Sequence, residues 1–404
     1  MPIERLKLGT LLWSFAGVIA LGISLAVFVL ARSAGVGSKP EGKRLARIQQ
    51  SPEWNAGRFE NPQPIWSDTS KAWRELVVES SSPDVAPLGP VPIANTDTAV
   101  FQKPPASGLR ITWFGHSSAL IEIDGTTILI DPIWSERASP VAWAGPKLWF
   151  SPPITLIELP AVDAVVISHD HYDHLDFATI AAMQSWRAVF VVPLGVGAHL
   201  ERWGISGDRI VELEWWQGTK VGALQVVATP ARHASGRLGA KSNKTLWAGF
   251  ALVGPQHRVW YSGDTGLHEG LRTVGERLGP FDVTLIEAGQ YNTHWPDTHL
   301  GPEQAVEAHR EVRGKILIPV HWGRLPLAKH AWTEPVERVL VAAQCRDVKV
   351  LAPQIGESIE PDAESRLTRW WPTLHWEPAA ESPVVATKNG DPLDRIRIPE
   401  CAAP

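Results

Sequence analysis

Between residues 108 and 356 the chain repeats one pattern: a short apolar run that ends at a polar or turn residue. The runs are "LRITWFG", "TTILID", "AVVIS", "AVFVVP", "LQVVATP", "RVWYSG", "VTLIEAG" and "KILIPV". Short runs rich in β-branched and aromatic residues, bounded by Gly, Pro, Asp or Ser, predict strands. Segments with helical spacing fall among them at 174–185, 266–279 and 301–312. Strands and helices mixed through one stretch predict a single α/β (α+β) domain over 108–356.

The flanks read differently. Residues 8–31 carry no charge. A bilayer-spanning helix needs about 20 apolar residues, whereas the apolar part of a secretory signal usually has about 7–15. Residues 1–34 are therefore expected to be a tail and a single-pass transmembrane helix. Basic residues are in excess after it (Arg32, Lys39, Lys43, Arg44 and Arg47) over those before it (Arg5 and Lys7). That excess favours a cytoplasmic catalytic domain. The alternative is a cleaved signal, with "VLA" at 29–31 as the cleavage site and a periplasmic or exported protein. Residues 35–107 suggest a basic linker followed by a Pro- and Ser-containing arm with a helix at 69–79. Residues 357–404 form a Pro- and charge-rich C-terminal extension.

Composition changes this picture little. Net charge is −5 with a pI near 6.3, without the basic surplus that nucleic-acid binding favours. The only cysteines are Cys345 and Cys401, which leaves the redox compartment unread. The 20 Trp are the unusual feature, and most are expected in the core or lining a pocket. For Trp215 and Trp216 the core is favoured over lipid contact.

The chemistry lies at the ends of the apolar runs. His116 follows "ITWFG", Asp131 ends "TILI", His169 follows "AVVIS", and His233 follows "VVATP". Asp264 follows "VWYSG", and His321 ends "ILIPV". In α/β sheets, ligands gather beyond the carboxyl ends of strands, so these residues can converge on one edge. The stretch "SHDHYDHLD" at 168–176 concentrates the signal. His169 and His171, two apart, can aim at one metal, while Asp173 and His174 can face a second. Seven candidate ligands result: His169, His171, Asp173, His174, His233, Asp264 and His321. Imidazole with carboxylate suits zinc, although His/Asp sites take other divalent ions too. A shared Asp264 would let seven residues serve two ions. Alternatively, Asp173 caps a helix beginning near His174. Asp131 is expected either to orient a ligand histidine or to sit in a turn before Pro132. His116 either touches substrate or satisfies a backbone carbonyl. His299, before "GPEQAV", either acts on the substrate or enters a helix. His294 is expected to be structural.

"HDHYDHLD" resembles the HxHxDH signature of the metallo-β-lactamase fold, and His233, "SGDTG" and "PVHWG" follow in that family's order. The stretches "ITWFGHSSALIEIDGTTILIDPIWSERASP", "GPKLWFSPP" and "GPEQAVEAH" resemble N-acylphosphatidylethanolamine phospholipase D and its bacterial relatives, over roughly 105–350. The resemblance implies a four-layer αββα sandwich. It implies two Zn2+ ions, one held by His169, His171 and His233, the other by Asp173, His174 and His321, with Asp264 bridging. It further implies phosphodiesterase chemistry of phospholipase D type through a metal-bridging hydroxide, with Asp173, Asp264, His299 and His116 as catalytic residues. The expected partners are a phospholipid or other phosphodiester substrate and a membrane, with no nucleic acid. The segment "QYNTHWPDTHL" departs from the family pattern where the substrate path is expected. The alternatives are a small-molecule phosphodiesterase or lactonase, or a non-catalytic membrane-tethered scaffold. Di-iron redox relatives typically carry Glu at the position of His171 and a flavin domain, and this chain has neither.

Overall fold

The computed structural model describes residues 32–68, 84–237, 242–362 and 364–398, together with Val29, Ser70, Lys71 and Arg74. A small ribbon of β1 (Trp54–Asn55) and β2 (Arg58–Phe59) follows helix α1 (Gly42–Ile48). The sandwich begins with β3 (Leu109–Trp113), β4 (Ala119–Ile123), β5 (Thr126–Ile130) and β6 (Ala164–Val166). Next come α2 (Phe177–Ala182), β7 (Val189–Pro193), α3 (Gly197–Arg202) and β8 (Ile210–Leu213). The second half holds β9 (Gly218–Val221), β10 (Leu224–Thr229), β11 (Gly249–Val253), β12 (Arg258–Tyr261) and α4 (Gly270–Leu278). It continues with β13 (Phe281–Glu287), α5 (Pro302–Glu311), β14 (Gly314–Val320), α6 (Glu334–Cys345), β15 (Lys349–Val350) and β16 (Ser358–Ile359).

The strands form two seven-stranded sheets, ordered β16-β3-β4-β5-β6-β7-β8 and β15-β14-β13-β12-β11-β10-β9. Side-chain alternation sorts the layers, because successive residues of a strand point to opposite faces. Ile121, Ile128 and Ile130 of the first sheet meet Val226, Phe250, Val259 and Tyr261 of the second in one core. Their neighbours Leu120, Leu129 and Val165 face outward onto Ile180 and Leu200 of α2 and α3. Trp260, Ile286 and Leu317 face outward onto Leu271, Val306 and Val339 of α4, α5 and α6. Helix, sheet, sheet and helix therefore stack as a mixed α/β sandwich.

Tryptophans cluster within the core between the sheets. Trp113 stacks on Trp322 at 5.3 Å between centroids, and Trp322 stacks on Trp370 at 5.5 Å. Removing such a ring from a core costs roughly 3–5 kcal/mol. Trp215 is also core, its indole N–H donating to the Trp247 carbonyl. The first sheet's edge strand is β16, which pairs antiparallel with β3 through Ser358↔Thr112.

The basic linker is not loose. α1 is docked, with Arg44 bridging Glu212 at 2.7 Å and Glu201 at 2.8 Å. The arm that follows is tied down as well: Asn61 donates to the His233 carbonyl, and the Trp66 N–H donates to Asp297. Among the described residues no helix is long and apolar enough to cross a membrane. The expected span at 8–31 lies outside the described residues except for Val29, as does most of the expected helix at 69–79.

Candidate metal centre

β5, β6, β7 and β8 run parallel, and so do β12, β13, β14 and β15, so each group ends its strands on one edge. The motif 168–174 leaves β6 at such an end and turns at once. The turn is pinned by Asp131, whose carboxylate accepts the Ser168 N–H at 2.7 Å and the Ser168 hydroxyl at 2.5 Å. Helix α2 starts at Phe177 rather than at His174, and its cap is Asp176, which accepts the Thr179 N–H. Asp173 is thereby free of capping and turns into the site. Asp264 arrives through Gly263, at φ 57°, where a Cβ would stand 2.7 Å from the Ala248 carbonyl oxygen. Only glycine lets the two sheets' loops approach so closely there.

All seven candidate ligands meet. Ligand atoms of His169, His171, His233 and Asp264 lie within 4.8 Å of one another, and so do those of His116, Asp173, His174 and His321. Asp264 Oδ2 is central: 3.1 Å from His174 Nε2, 3.2 Å from His321 Nε2, and 3.7 Å from both His169 Nε2 and His233 Nε2. Two atoms bound at about 2.0–2.1 Å to one tetrahedral ion stand roughly 3.3 Å apart. Several pairs sit near that spacing, including His233 Nε2 to His171 Nδ1 at 3.3 Å and Asp173 Oδ2 to His174 Nε2 at 3.3 Å and to His321 Nε2 at 3.4 Å. Both oxygens of Asp264 and the Nε2 atoms of His174 and His321 are buried without a hydrogen-bond partner. Buried polar atoms are normally satisfied, and a shared cation would satisfy these. The residues present therefore fit a metal centre.

The electrostatics agree. Burial works against the Asp264 carboxylate, but the adjacent His174 and His321 overcome it and hold the group well below the usual range. Burial likewise opposes the His321 imidazolium, yet Asp264 and Asp173 lift it to about 10. Two buried carboxylates thus draw protons onto their neighbours, which is the demand for positive charge that a metal ion meets. His169 and His233 are pushed well below their ordinary value by burial, leaving the neutral imidazole that a metal requires.

The remaining expectations sort by geometry. Asp131 accepts from His174 Nδ1 at 2.7 Å and from the Tyr261 hydroxyl at 2.5 Å, so it is an orienting group rather than a turn residue. His116 Nε2 lies 2.9 Å from Asp173 Oδ2, so the ring supports that carboxylate rather than a backbone carbonyl. Burial lowers His116 to about 3. His299 places Nδ1 2.8 Å from Glu287 Oε2 and stands beside His233 and His321, each at 5.1 Å between centroids. His294 stays apart, its carbonyl accepting the Asp68 N–H. The sequence reading missed Glu287, which is fully buried at the end of β13. The strand-end rule that picked out Asp264 and His321 applies equally to the "VTLIE" run.

Comparison with known proteins agrees with this geometry. Residues 126–322 match the beta-lactamase superfamily domain. An uncharacterised protein of Mycobacterium tuberculosis is 48% identical over 334 residues, covering 80% of this chain and 88% of that one. N-acyl-phosphatidylethanolamine-hydrolyzing phospholipase D 1 of Caenorhabditis elegans is 34% identical over 254 residues, covering 60% of this chain and 71% of that one. A metal-dependent hydrolase of Aeropyrum pernix is 30% identical over 266 residues, covering 63% of this chain and 98% of that one.

Proposed function

Since the chain belongs to the metallo-β-lactamase superfamily and is one of its metal-dependent hydrolases, we propose that it cleaves the phosphodiester of N-acylphosphatidylethanolamine-like lipids in the manner of a phospholipase D. The carrying observation is the convergence of seven ligand-type side chains in two adjoining groups, with Asp264 of one group against His174 and His321 of the other. The similarity to the Caenorhabditis elegans enzyme supports the lipid class. The uncharged stretch at 8–31 supports attachment to a membrane.

Two zinc ions are the cofactors of this reading. His169, His171 and His233 would hold one, Asp173, His174 and His321 the other, with Asp264 common to both. When bound, such ions supply a water with a pKa near 7 and a positive field for phosphoryl charge. The protein's own part is orientation. His174 donates Nδ1–H to Asp131, His233 to the Thr298 carbonyl at 2.8 Å, and His321 to the Gly289 carbonyl at 3.2 Å. Each bond leaves Nε2 for the centre and fixes its direction. Glu287 holds His299 in the same way, so that Nε2 of His299 is free to donate to a phosphoryl oxygen as charge builds.

The basic residues that follow the uncharged stretch favour a cytoplasmic catalytic domain over a periplasmic or exported one. Protease treatment of intact spheroplasts separates the two: protection of the domain supports the inside placement, and digestion refutes it. The lipid assignment is tested with the zinc-loaded chain and vesicles containing N-acylphosphatidylethanolamine. Phosphatidic acid and an N-acylethanolamine are the expected products by mass spectrometry. Turnover of bis(p-nitrophenyl) phosphate without turnover of that lipid would refute the lipid class and keep the hydrolase.

A further inference from the structure

In the motif His169-Asp170-His171-Tyr172-Asp173-His174, four side chains turn into the centre. The two between, Asp170 and Tyr172, do something else. Asp170 accepts the Gly236 N–H at 2.7 Å, and its other oxygen lies 3.3 Å from His199 Nε2. The Tyr172 ring carries the Arg237 guanidinium at 3.9 Å from its centroid, and Arg237 donates to the carbonyls of Asp170 and Leu175. Both partners then reach the segment that follows the uncharged stretch. Arg237 donates to the Gly35 carbonyl at 2.6 and 3.1 Å, and His199 Nδ1 accepts the Ser38 N–H at 2.9 Å. Trp203 donates its indole N–H to the Ala34 carbonyl. The segment lies hard against the domain: a Cβ on Gly35 would stand 2.3 Å from the Pro140 oxygen, and one on Gly37 2.0 Å from His199 Nδ1.

The uncharged stretch ends at residue 31, and Ala34 is already fixed. The three intervening residue steps reach at most about 11 Å. Wherever the end of that stretch meets a bilayer, this patch of the domain lies within that reach. Pro140 belongs to the 139–146 loop, whose Trp143 is 63% exposed, although most of the chain's described tryptophans are buried or half-buried. Tryptophan with one face apolar and one end wet is the residue that membrane interfaces favour.

We propose that residues 32–38, the 139–146 loop and Tyr172 form the face that lies on the bilayer, with Trp143 entering the headgroup layer and the partly exposed His171 of the metal centre, next to Tyr172, on the lipid side. This rests on the membrane attachment proposed above. It makes the motif bifunctional: alternate residues hold the centre and its orientation to the membrane. A lipid headgroup then reaches the centre from the membrane side, past His171.

The test uses the full chain in phosphatidylethanolamine and phosphatidylcholine vesicles. With Cys345 and Cys401 replaced by Ser, an environment-sensitive nitrobenzoxadiazole label is attached at Trp143→Cys or, as control, at Glu276→Cys on α4 in the opposite outer layer. The expected result is a blue-shifted emission at 143, quenched by spin-labelled lipids, with a solvent-like emission at 276. A chain that floats with the vesicles while the label at 143 stays solvent-like overturns the proposed face and leaves membrane attachment standing. A chain that stays in the aqueous fraction overturns both. As a second readout, Trp143→Ser should keep its turnover of bis(p-nitrophenyl) phosphate and lose turnover of vesicle substrate several-fold. Equal turnover of both substrates by wild type and Trp143→Ser counts against the face.

Discussion

The carboxylate of Asp131 lies 2.7 Å from Nδ1 of His174 and is wholly buried, also accepting from Ser168 and Tyr261. It sits at φ 36°, in the left-handed region, at the end of β5. One side chain therefore joins the turn of the metal motif in the first sheet to β12 in the second. Asp131→Asn keeps the shape and loses the charge. Metal affinity, measured by competition with a chelator, should fall about 10–100-fold. An unchanged affinity would mean that the carboxylate only supports the turn.

Asp264 Oδ2 approaches members of both ligand groups, whereas His233 Nε2 approaches one. If the proposed two-ion centre is right, Asp264→Ala should strip both ions, and His233→Ala mainly one. Metal-to-protein ratios after reconstitution decide this. Equal losses in the two variants would remove the bridging role of Asp264.

The fold was legible where a strand was a mainly apolar run closed by a polar or turn residue, and the site because those closing residues are its ligands. β4 carries Glu122 in mid-run, buried against Arg110, so its sequence does not read as a core strand. β9 is an edge strand with exposed Gly218 and Lys220, and β11 opens on a glycine. Helix α6 buries Glu334, Glu337 and Arg338. Their partners come from elsewhere in the chain, such as Glu303 for Arg338, Tyr291 for Glu334 and Trp371 for Glu337, so the helix's apolar period is broken in sequence and satisfied only in space. Glu287 was within reach of the strand-end rule, but its role as the partner of His299 shows only in space, where that ring and the N–H groups of Thr265 and Leu300 surround it.

That arrangement predicts a graded loss. His299→Ala should lower kcat about 10²–10³-fold, the usual effect of removing one donor to developing charge. Glu287→Gln leaves the ring in place with a weaker partner and should lower kcat less, with metal content unchanged in both variants. Steady-state kinetics with metal analysis on the same samples checks this. A full complement of metal with wild-type kcat in His299→Ala would exclude the residue from the reaction.

His309 on α5 is a pH liability distant from the centre. Its Nδ1 is 2.7 Å from the Thr284 hydroxyl, and burial lowers the ring to about 4. An unfolded histidine titrates near 6.5, so above that pH the ring is neutral in both states and costs nothing. As pH falls from about 6.5 toward 4, the unfolded chain binds a proton that the folded chain refuses, and stability is lost. The full effect is about 3 kcal/mol. Denaturant titrations of wild type and His309→Gln at pH 7 and pH 4.5 should show the wild type losing more stability on acidification than the variant. Parallel losses would remove His309 as the cause.

The reaction itself is tested most directly by isotope. The zinc-loaded chain is given N-acylphosphatidylethanolamine vesicles in water enriched in heavy oxygen, and each product is weighed by mass spectrometry. Attack on phosphorus predicts the label in phosphatidic acid and none in the N-acylethanolamine. Label in a released carboxylate would mean that an ester is being cleaved, contradicting the phosphodiesterase account while leaving a metal-dependent hydrolase in place.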